Sequence, residues 1–231
     1  MPYSKSEMLK TMSHNPWFAG LPLSERRAML AVADVVHVHA GEMLYRKGDS
    51  AAGFFGVLAG AFKVSSVGED GREGILSVVE QGNWFGEASL LDGLARPHDA
   101  TAMHNSDVLV ISPPAFARLM RRNAFARGMA GLLCSRVRAL YGLVEDAMLR
   151  STRTRVARRL LALTRGDATM APKARASVLV SQEALAMMLG ITRQTMSREL
   201  KDLVRAGVVK LSYCRIDIVS MAALELRGAS A

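Results

Sequence analysis

Cysteine is scarce in this chain, and long apolar runs are absent. The 231 residues include two cysteines, Cys134 and Cys214, too few for a disulfide framework or a four-cysteine metal site. No apolar run approaches the ~18 residues of a membrane span, and the first residues lack the apolar core of a signal peptide. We therefore expect a cytoplasmic protein with reduced thiols, no membrane partner and no bound metal.

Positive charge is abundant but unevenly distributed. The formal net charge is +9. Residues 1–112 hold 9 Lys/Arg and 13 Asp/Glu, a net charge of −4, whereas residues 113–231 hold 21 and 8, a net charge of +13. A basic C-terminal half predicts a nucleic-acid partner for that half only.

The sequence pattern of the first 112 residues changes once, from helical to β-strand. Residues 1–34 have a helical pattern, with Ser24 as the expected N-cap of a run that ends at Ala33. From Val35 to Ile111, short apolar runs alternate with glycine-containing turns every 7–12 residues, which is typical of an all-β sandwich or barrel. The tetrapeptide "GEDG" at 68–71 predicts a hairpin.

From Pro113 onward, the apolar residues recur at the spacing of an α-helix. A short helix opened by proline precedes a long one over about 125–149. Apolar residues recur along the long helix at heptad-like spacing; such a stripe either packs on its own domain or forms a seam between two copies of the chain, and the length of this helix favours the dimer seam. The predicted seam comprises Met129, Leu133, Val137, Leu140 and Val144.

Residues 151–231 predict a second module: a basic helix, a loop over 167–176, a helix-turn-helix and a strand pair. In "SQEALAMMLGITRQTMSREL" (181–200), Gly190 supplies the turn, Ala186 the small residue at the helix crossing, and Met196 the buried apolar position. Ser181 and Thr192 can cap the two helices. The strands of "VVKLSYCRIDIV" (208–219) supply a wing. We expect double-stranded DNA as the partner.

The second helix of this pair would place its polar first turns in the major groove. Arginine binds guanine O6/N7 and glutamine binds adenine N6/N7 in bidentate fashion, while other polar side chains hold phosphates. The expected base contacts are Arg193, Gln194, Ser197 and Arg198, and the expected backbone contacts are Thr195 and Lys201.

The order of a β-roll, a long helix and a winged helix-turn-helix resembles the CRP/FNR family of bacterial transcription regulators. The motifs "WFGEASLLDGLARPHDATA" (84–102) and "SQEALAMMLGITRQTMSREL" (181–200) carry the resemblance over nearly the whole chain. It implies an α+β fold with three parts: a β-roll like those that bind cyclic nucleotides (1–112), a short helix with a long dimerisation helix (113–149), and a winged helix-turn-helix (150–231). It also implies a homodimer on a palindromic operator, RNA polymerase as a partner, and a glutamate in CRP itself where this chain has Gln194.

The resemblance further implies a phosphate cassette after "FGE", in which a glutamate holds the ribose and an arginine holds the cyclic phosphate. The matching residues, which we predict to bind an effector, are Gly86, Glu87, Ala88, Ser89, Arg96, Pro97 and Tyr141. Pro97 stands where cyclic-AMP binders have a hydroxyl, and Leu140-Tyr141-Gly142 where they have Thr-Ser. We therefore expect cyclic AMP to bind poorly, and the residues favour another effector or none. Alternatively, Glu87 and Arg96 form an internal ion pair.

Other readings of the same fold remain open. One is a strict cyclic-nucleotide or haem sensor, for which the five histidines are candidates by count only: His14, His37, His39, His98 and His104. The pair His37 and His39 is expected to be solvent-exposed, and Cys134 is expected to be a buried, inert thiol rather than a redox switch. Residues 1–40 contain no cysteine, which excludes an FNR-type iron–sulfur cluster there. No nucleophile–base pair or P-loop indicates an enzyme.

Overall fold

The computed structural model describes residues 3–166 and 175–229. The chain divides into two compact units, one comprising residues 1–66 and 76–136, the other residues 67–75 and 137–231. Within the described residues, no helix is both long and apolar enough to cross a bilayer, and no group of three or more His, Cys, Asp or Glu side chains is placed to hold a metal ion.

The described part of the chain contains both helices and strands. The helices are α1 (Lys5–Met12), α2 (Pro16–Gly20), α3 (Leu23–Ala31), α4 (Ala88–Asp92), α5 (Pro113–Met120), α6 (Asn123–Leu149), α7 (Thr152–Thr164), α8 (Gln182–Leu189), α9 (Arg193–Arg205) and α10 (Met221–Ala229). The strands are β1 (Ala33–Val38), β2 (Met43–Tyr45), β3 (Phe54–Ala59), β4 (Ala61–Val67), β5 (Glu73–Glu80), β6 (Trp84–Phe85), β7 (Asp99–Ala102), β8 (Ser106–Ile111), β9 (Ser177–Val178), β10 (Val209–Ser212) and β11 (Arg215–Ile218).

The N-terminal strands form the two sheets of a β-roll. Their orders are β1-β8-β3-β6 and β2-β7-β4-β5, and the β1–β8, β3–β8, β3–β6 and β4–β7 pairings are antiparallel. The predicted hairpin is confirmed, because the Gly68 N–H donates to the Arg72 carbonyl at 2.9 Å between β4 and β5.

The first sheet is buried on both faces, which explains the unbroken apolar run of β3. Phe54 and Leu58 pack with the N-terminal helices, α5 and the start of α6. Phe55 and Val57 point to the other face, into the interior of the roll. Successive side chains of a strand alternate between faces, so a strand covered on both sides has no position for a solvated polar residue.

The long helix α6 has two different halves. Phe125, Met129 and Leu132 are buried in the core of the first unit. From Val137 onward the apolar side chains are largely exposed: Val137 is 49% exposed and Leu140 59%. Periodicity alone did not separate these halves, because both have apolar residues at helical spacing.

The C-terminal unit is a winged helix-turn-helix. Helices α7, α8 and α9 share one core with the three-stranded sheet β10-β11-β9 and with Leu224 of α10. The basic helix, the helix pair, the wing and the last helix are where the sequence predicts them. Most of the loop predicted over 167–176 lies outside the described residues.

Two local predictions are wrong. Ser24 is not the N-cap of α3, because the helix begins one residue earlier, at Leu23, with Pro22 at the cap position. Cys134 is exposed rather than buried, because it lies on α6 beside, and not among, the residues that pack into the core. His37 and His39 are exposed, as expected.

Candidate functional site

Helix α9 is fixed at its start by a side-chain cap and along one side by the core. The Thr192 hydroxyl accepts a hydrogen bond from the Thr195 N–H at 3.1 Å, which satisfies one of the free amides of the first turn. Met196, Leu200 and Leu203 are at most 1% exposed. The predicted cap at Thr192 and the predicted burial of Met196 are therefore confirmed.

The opposite face of α9 is polar and open. Arg193, Gln194, Arg198 and Lys201 are exposed, whereas Ser197 is half-buried. Thr195 is also half-buried, and its hydroxyl lies 2.9 Å from the Thr192 hydroxyl. All six predicted DNA-contact residues thus lie on one short helix, four of them fully available.

The turn before α9 has the predicted geometry. Ala186 is 3% exposed at the crossing of the two helices. Gly190 ends α8 with φ = 63°, a conformation that favours glycine, and the Ile191 N–H donates to the Ala186 carbonyl at 3.1 Å. Arg155 of α7 also donates to the Leu189 carbonyl at 2.7 Å, a contact that no local pattern indicates.

The acidic residues of α9 are turned toward α7. Arg153 lies 3.2 Å from a carboxylate oxygen of Asp202 and 3.6 Å from one of Glu199. Asp202 also pairs with Arg205 at 3.1 Å. Both acidic side chains of α9 therefore have arginine partners, and the exposed residues of its first turns, Arg193, Gln194 and Arg198, carry no negative charge.

The cassette that follows β6 has a tight backbone. Gly86 has φ = 87°, and a Cβ there would lie 2.9 Å from the Phe55 ring and 3.1 Å from the Arg96 guanidinium. Glycine is therefore required at this position. Ser89 is buried and donates to the Ala95 carbonyl at 3.3 Å, while Ala88 and Pro97 are exposed.

Glu87 is 3% exposed and forms an ion pair with Arg136 of α6. The same guanidinium donates to the Trp84 carbonyl at 2.5 Å. One carboxylate oxygen, Oε2, is buried and accepts no hydrogen bond among the described residues. Glu87 thus ties the cassette to the buried half of α6.

Arg96 is 2% exposed and binds the protein itself. It donates to the carbonyls of Gly86 at 2.6 Å and Gly53 at 2.7 Å. Its guanidinium carbon lies 4.5 Å from the centre of the Tyr45 ring and 5.4 Å from that of Phe55, a cation–π arrangement. The predicted alternative, a Glu87–Arg96 ion pair, is wrong, because each side chain has other partners.

Burial changes the acid–base properties of this cluster. Loss of hydration lowers the pKa of the Arg96 guanidinium and raises the pKa of the Tyr45 hydroxyl to about 12. Two open depressions lie in the same unit, with volumes of about 580 and 420 Å³. Neither is lined by Glu87 or Arg96.

The predicted dimer seam needs one correction. Met129 is 1% exposed and packs in the core of its own unit, so it has no surface left for a partner. Leu133 is half-buried. Val137, Leu140 and Val144 are 49%, 59% and 45% exposed, and Tyr141 beside them is 70% exposed.

Sequence reasoning missed Arg136, the ion partner of Glu87. A signal for it exists: Phe125, Met129, Leu132 and Arg136 follow one another at steps of four, three and four, so they share one face of α6. A charged residue that ends a buried apolar stripe needs a buried partner.

Comparisons with known proteins agree with this architecture. Residues 35–123 match the model of the cyclic nucleotide-binding domain, and residues 154–227 match that of the Crp-like helix-turn-helix domain. The transcriptional regulator LdrP of Thermus thermophilus is 30% identical over 190 residues, which are 82% of this chain and 94% of that protein. The cyclic AMP receptor protein of the same species is 28% identical over 215 residues, 93% of this chain and 97% of that one.

Solved structures show the same fold. A CRP-family transcriptional regulator from Thermus thermophilus has a TM-score of 0.64 and 30% identity, covering 85% of this chain and 97% of that one. FixK2 from Bradyrhizobium japonicum has a TM-score of 0.76 at 20% identity, covering 87% of this chain and 99% of that one. The family models, the relatives and the fold agree: the chain belongs to the CRP/FNR family of bacterial transcription regulators.

Proposed function

We propose that the protein is a homodimeric transcription regulator that binds a palindromic operator through α9. The observation that carries this proposal is the open face of that helix. Arg193, Gln194, Arg198 and Lys201 are exposed opposite a fully buried apolar side. A helix that contacts base edges in the major groove must be held rigidly by its core and must have exposed polar side chains.

The side chains differ in the contacts they can make. One of Arg193 and Arg198 binds guanine and the other a phosphate, since both are exposed near the start of the helix. Gln194 offers a donor and an acceptor, the pattern that adenine matches. Ser197 is a minor base contact, and Lys201 holds the backbone. Thr195, whose hydroxyl already meets Thr192, contacts DNA only through its methyl group or a shared hydrogen bond.

The exposed stripe of α6 supports a dimer with a second copy of the chain. Val137, Leu140 and Val144 recur at steps of three and four and together leave a continuous apolar strip in solvent. Leu133 extends this seam at its half-buried end. A two-fold axis along the seam would place two α9 helices on successive major grooves, about 34 Å apart.

The β-roll is proposed to receive the signal through the cassette, with an effector that is not cyclic AMP. Two carbonyls and two aromatic rings already hold the Arg96 guanidinium, although its buried Nε has no hydrogen-bond partner among the described residues, and Pro97 offers no hydroxyl. Gly86, Glu87, Ala88 and Ser89 complete the proposed site, and Tyr141 stays a predicted contributor. RNA polymerase is the proposed protein partner, and no catalytic activity is proposed because the relatives carry the names of regulators.

A strict cyclic-nucleotide sensor is the second candidate. It is favoured by the match of residues 35–123 to the cyclic nucleotide-binding domain and by the free Oε2 of Glu87, an acceptor that a ribose hydroxyl could satisfy. Under this reading Arg96 would have to leave its two carbonyls on binding, which costs hydrogen bonds to a buried charge.

Selection from randomised duplexes tests the proposed function. Wild type should enrich a palindrome with adenine favoured at one base pair of each half-site. Gln194→Ala should lose that preference alone, at about 1–3 kcal/mol on the preferred operator. Lys201→Ala is the matched control, since it should weaken all sequences equally and lower the salt slope by about one. If wild type and Gln194→Ala enrich the same motif with the same information at every position, Gln194 does not contact bases.

A further inference from the structure

Tyr45, at the end of β2, lies between an open depression and the buried Arg96. One depression of the first unit, of about 580 Å³, is lined by residues 41–46 and by Asp49, but not by Arg96. Tyr45 lines this depression, and its ring centre lies 4.5 Å from the guanidinium carbon of Arg96. The Tyr45 ring therefore stands between the solvent of the depression and the guanidinium.

The Tyr45 ring is the outer member of a row of aromatic rings inside the β-roll. It stacks on Phe55, with 5.6 Å between ring centres, and is tilted against Phe85 at 6.2 Å. Phe85 in turn lies 5.7 Å from Phe62. The three phenylalanines are at most 4% exposed, whereas Tyr45 is half-buried. Tyr45 is therefore the one ring of this row that a molecule entering from the depression meets first.

The contacts of Arg96 are of two kinds. Its two terminal nitrogens donate to the carbonyls of Gly86 and Gly53, and the one nitrogen left without a partner among the described residues, Nε, is a single donor. A bound phosphate prefers two parallel donors, whereas the contact with Tyr45 needs only the flat face of an aromatic ring. The partner of Arg96 that a ligand can most readily replace is therefore an aromatic ring and not an anion.

Tyr45 is held in this place by its ring. Burial raises the pKa of its hydroxyl to about 12, and no hydrogen bond contributes to that shift. Within the described residues, the contacts of the side chain are the stacking on Phe55, the tilted contact with Phe85 and the cation–π contact with Arg96. A free aromatic molecule of the same size can make all three contacts.

We propose that the β-roll contains a binding site for a small, uncharged aromatic ring, and that the Tyr45 side chain is the built-in occupant of this site. A ligand enters from the depression, displaces Tyr45, and takes its place against Phe55 and Arg96. Its apparent affinity is reduced in proportion to the fraction of molecules in which Tyr45 has moved away. The proposal rests on the proposed function only in taking the β-roll as the domain that receives the effector.

The test uses the full chain and p-cresol, which is the tyrosine side chain as a free molecule. Tyr45→Ala should bind p-cresol at one site per chain in calorimetry, and the probe should raise the Tm of this variant. Wild type and Tyr45→Phe both keep the ring and should bind p-cresol at least about tenfold more weakly. The saturated probe 4-methylcyclohexanol has the same skeleton without an aromatic face, so it should bind Tyr45→Ala about three- to tenfold more weakly than p-cresol.

Met43→Ala is the matched control variant. Met43 lines the same depression and is 48% exposed, and its removal leaves the Tyr45 ring in place. This variant should therefore behave like wild type. If it binds p-cresol as tightly as Tyr45→Ala does, the probe sits in the depression and not against Arg96, and the proposal is overturned.

The other outcomes are equally decisive. The proposal is overturned if Tyr45→Ala does not bind p-cresol, if wild type binds it as tightly, or if the saturated probe binds Tyr45→Ala as tightly as the aromatic one. If Tyr45→Ala does not fold alone, p-cresol has to restore its folded circular dichroism spectrum, and failure to do so also overturns the proposal. Operator titration of wild type separates the two proposals: if p-cresol binds as expected and wild type binds no duplex, the proposed function fails while the aromatic site stands.

Discussion

Helix α9 and the cassette at 86–97 present the same kind of side chain in opposite ways. Arg198 of α9 is exposed on a helix whose other side is fully buried. Arg96 of the cassette is 2% exposed and is bound by the carbonyls of Gly53 and Gly86. A matching motif therefore identifies the residue type but does not show whether the side chain can reach a ligand. Arg198 is exposed to solvent, whereas Arg96 is buried and hydrogen-bonded within the protein.

The largest expected effect concerns the two halves of α6. Leu140→Glu places a charge in the exposed apolar strip and should convert the dimer to monomers, because burying an unpaired carboxylate is costly. Loss of the second module should weaken palindrome binding by about 100-fold or more. Sedimentation and operator titration measure both effects.

Arg138→Glu is the control for that substitution. Arg138 is exposed on the side of α6 away from Leu140, so this variant should remain a dimer. If Leu140→Glu also sediments as a dimer, the seam assignment is wrong and the exposed strip has another role.

The next effect is on stability and contrasts a buried ion pair with an exposed one. Arg136→Ala leaves the Glu87 carboxylate buried without its partner and should lower the free energy of unfolding by about 2–4 kcal/mol. Adding Glu87→Gln should recover about half of that loss. Arg153→Ala breaks a pair in which the arginine is 56% exposed and should cost about 1 kcal/mol or less. If urea titrations show that Arg136→Ala and Arg153→Ala lower the free energy of unfolding equally, the contrast between the buried and the exposed ion pair is wrong.

The smallest expected effect is a pH-dependent change in the free energy of unfolding, caused by a buried carboxyl in the first unit. Two hydrogen bonds from Arg122, at 2.6 and 2.8 Å, hold the pKa of the Glu25 carboxyl below its ordinary value of 4.5. A carboxyl with a lowered native pKa stabilises the fold above its unfolded pKa and loses this contribution as the pH falls through the native value.

Glu25→Gln should therefore be less stable than wild type at pH 7, by about 1–2 kcal/mol. The difference should shrink as the pH falls below 4.5. Urea titrations between pH 7 and pH 3 check this, with Glu225→Gln as the control, since that carboxylate is 55% exposed. A difference that stays constant with pH would contradict the assigned ion pair.

The features predicted well from the sequence are local. The cap by Thr192, the turn at Gly190 and the buried Met196 depend on residues a few positions apart, so their pattern is visible in twenty letters. The partners of the cassette are distant: Arg136 lies 49 residues from Glu87, and Gly53 lies 43 residues from Arg96. Only folding brings such groups together, which is why their mutual arrangement was not predictable.

The predicted dimer seam shows a related limit of prediction from sequence. Met129 and Leu140 belong to the same apolar stripe of α6, yet Met129 packs in the core of its own unit and Leu140 is 59% exposed. An apolar stripe indicates that a helix is covered but not by what.

Operator binding with and without cyclic AMP is the measurement that tests the central claim most directly. The claim is that α9 binds DNA without an effector, because its polar face is already exposed, and that Arg96 of the cassette does not bind cyclic AMP, because protein groups already hold it. The full-length protein should bind its selected duplex as purified, and saturating cyclic AMP should change the Kd by less than about twofold, with no heat of binding in calorimetry. A specific cyclic-AMP site of micromolar affinity or better, accompanied by about a tenfold or greater shift in operator affinity, would contradict it.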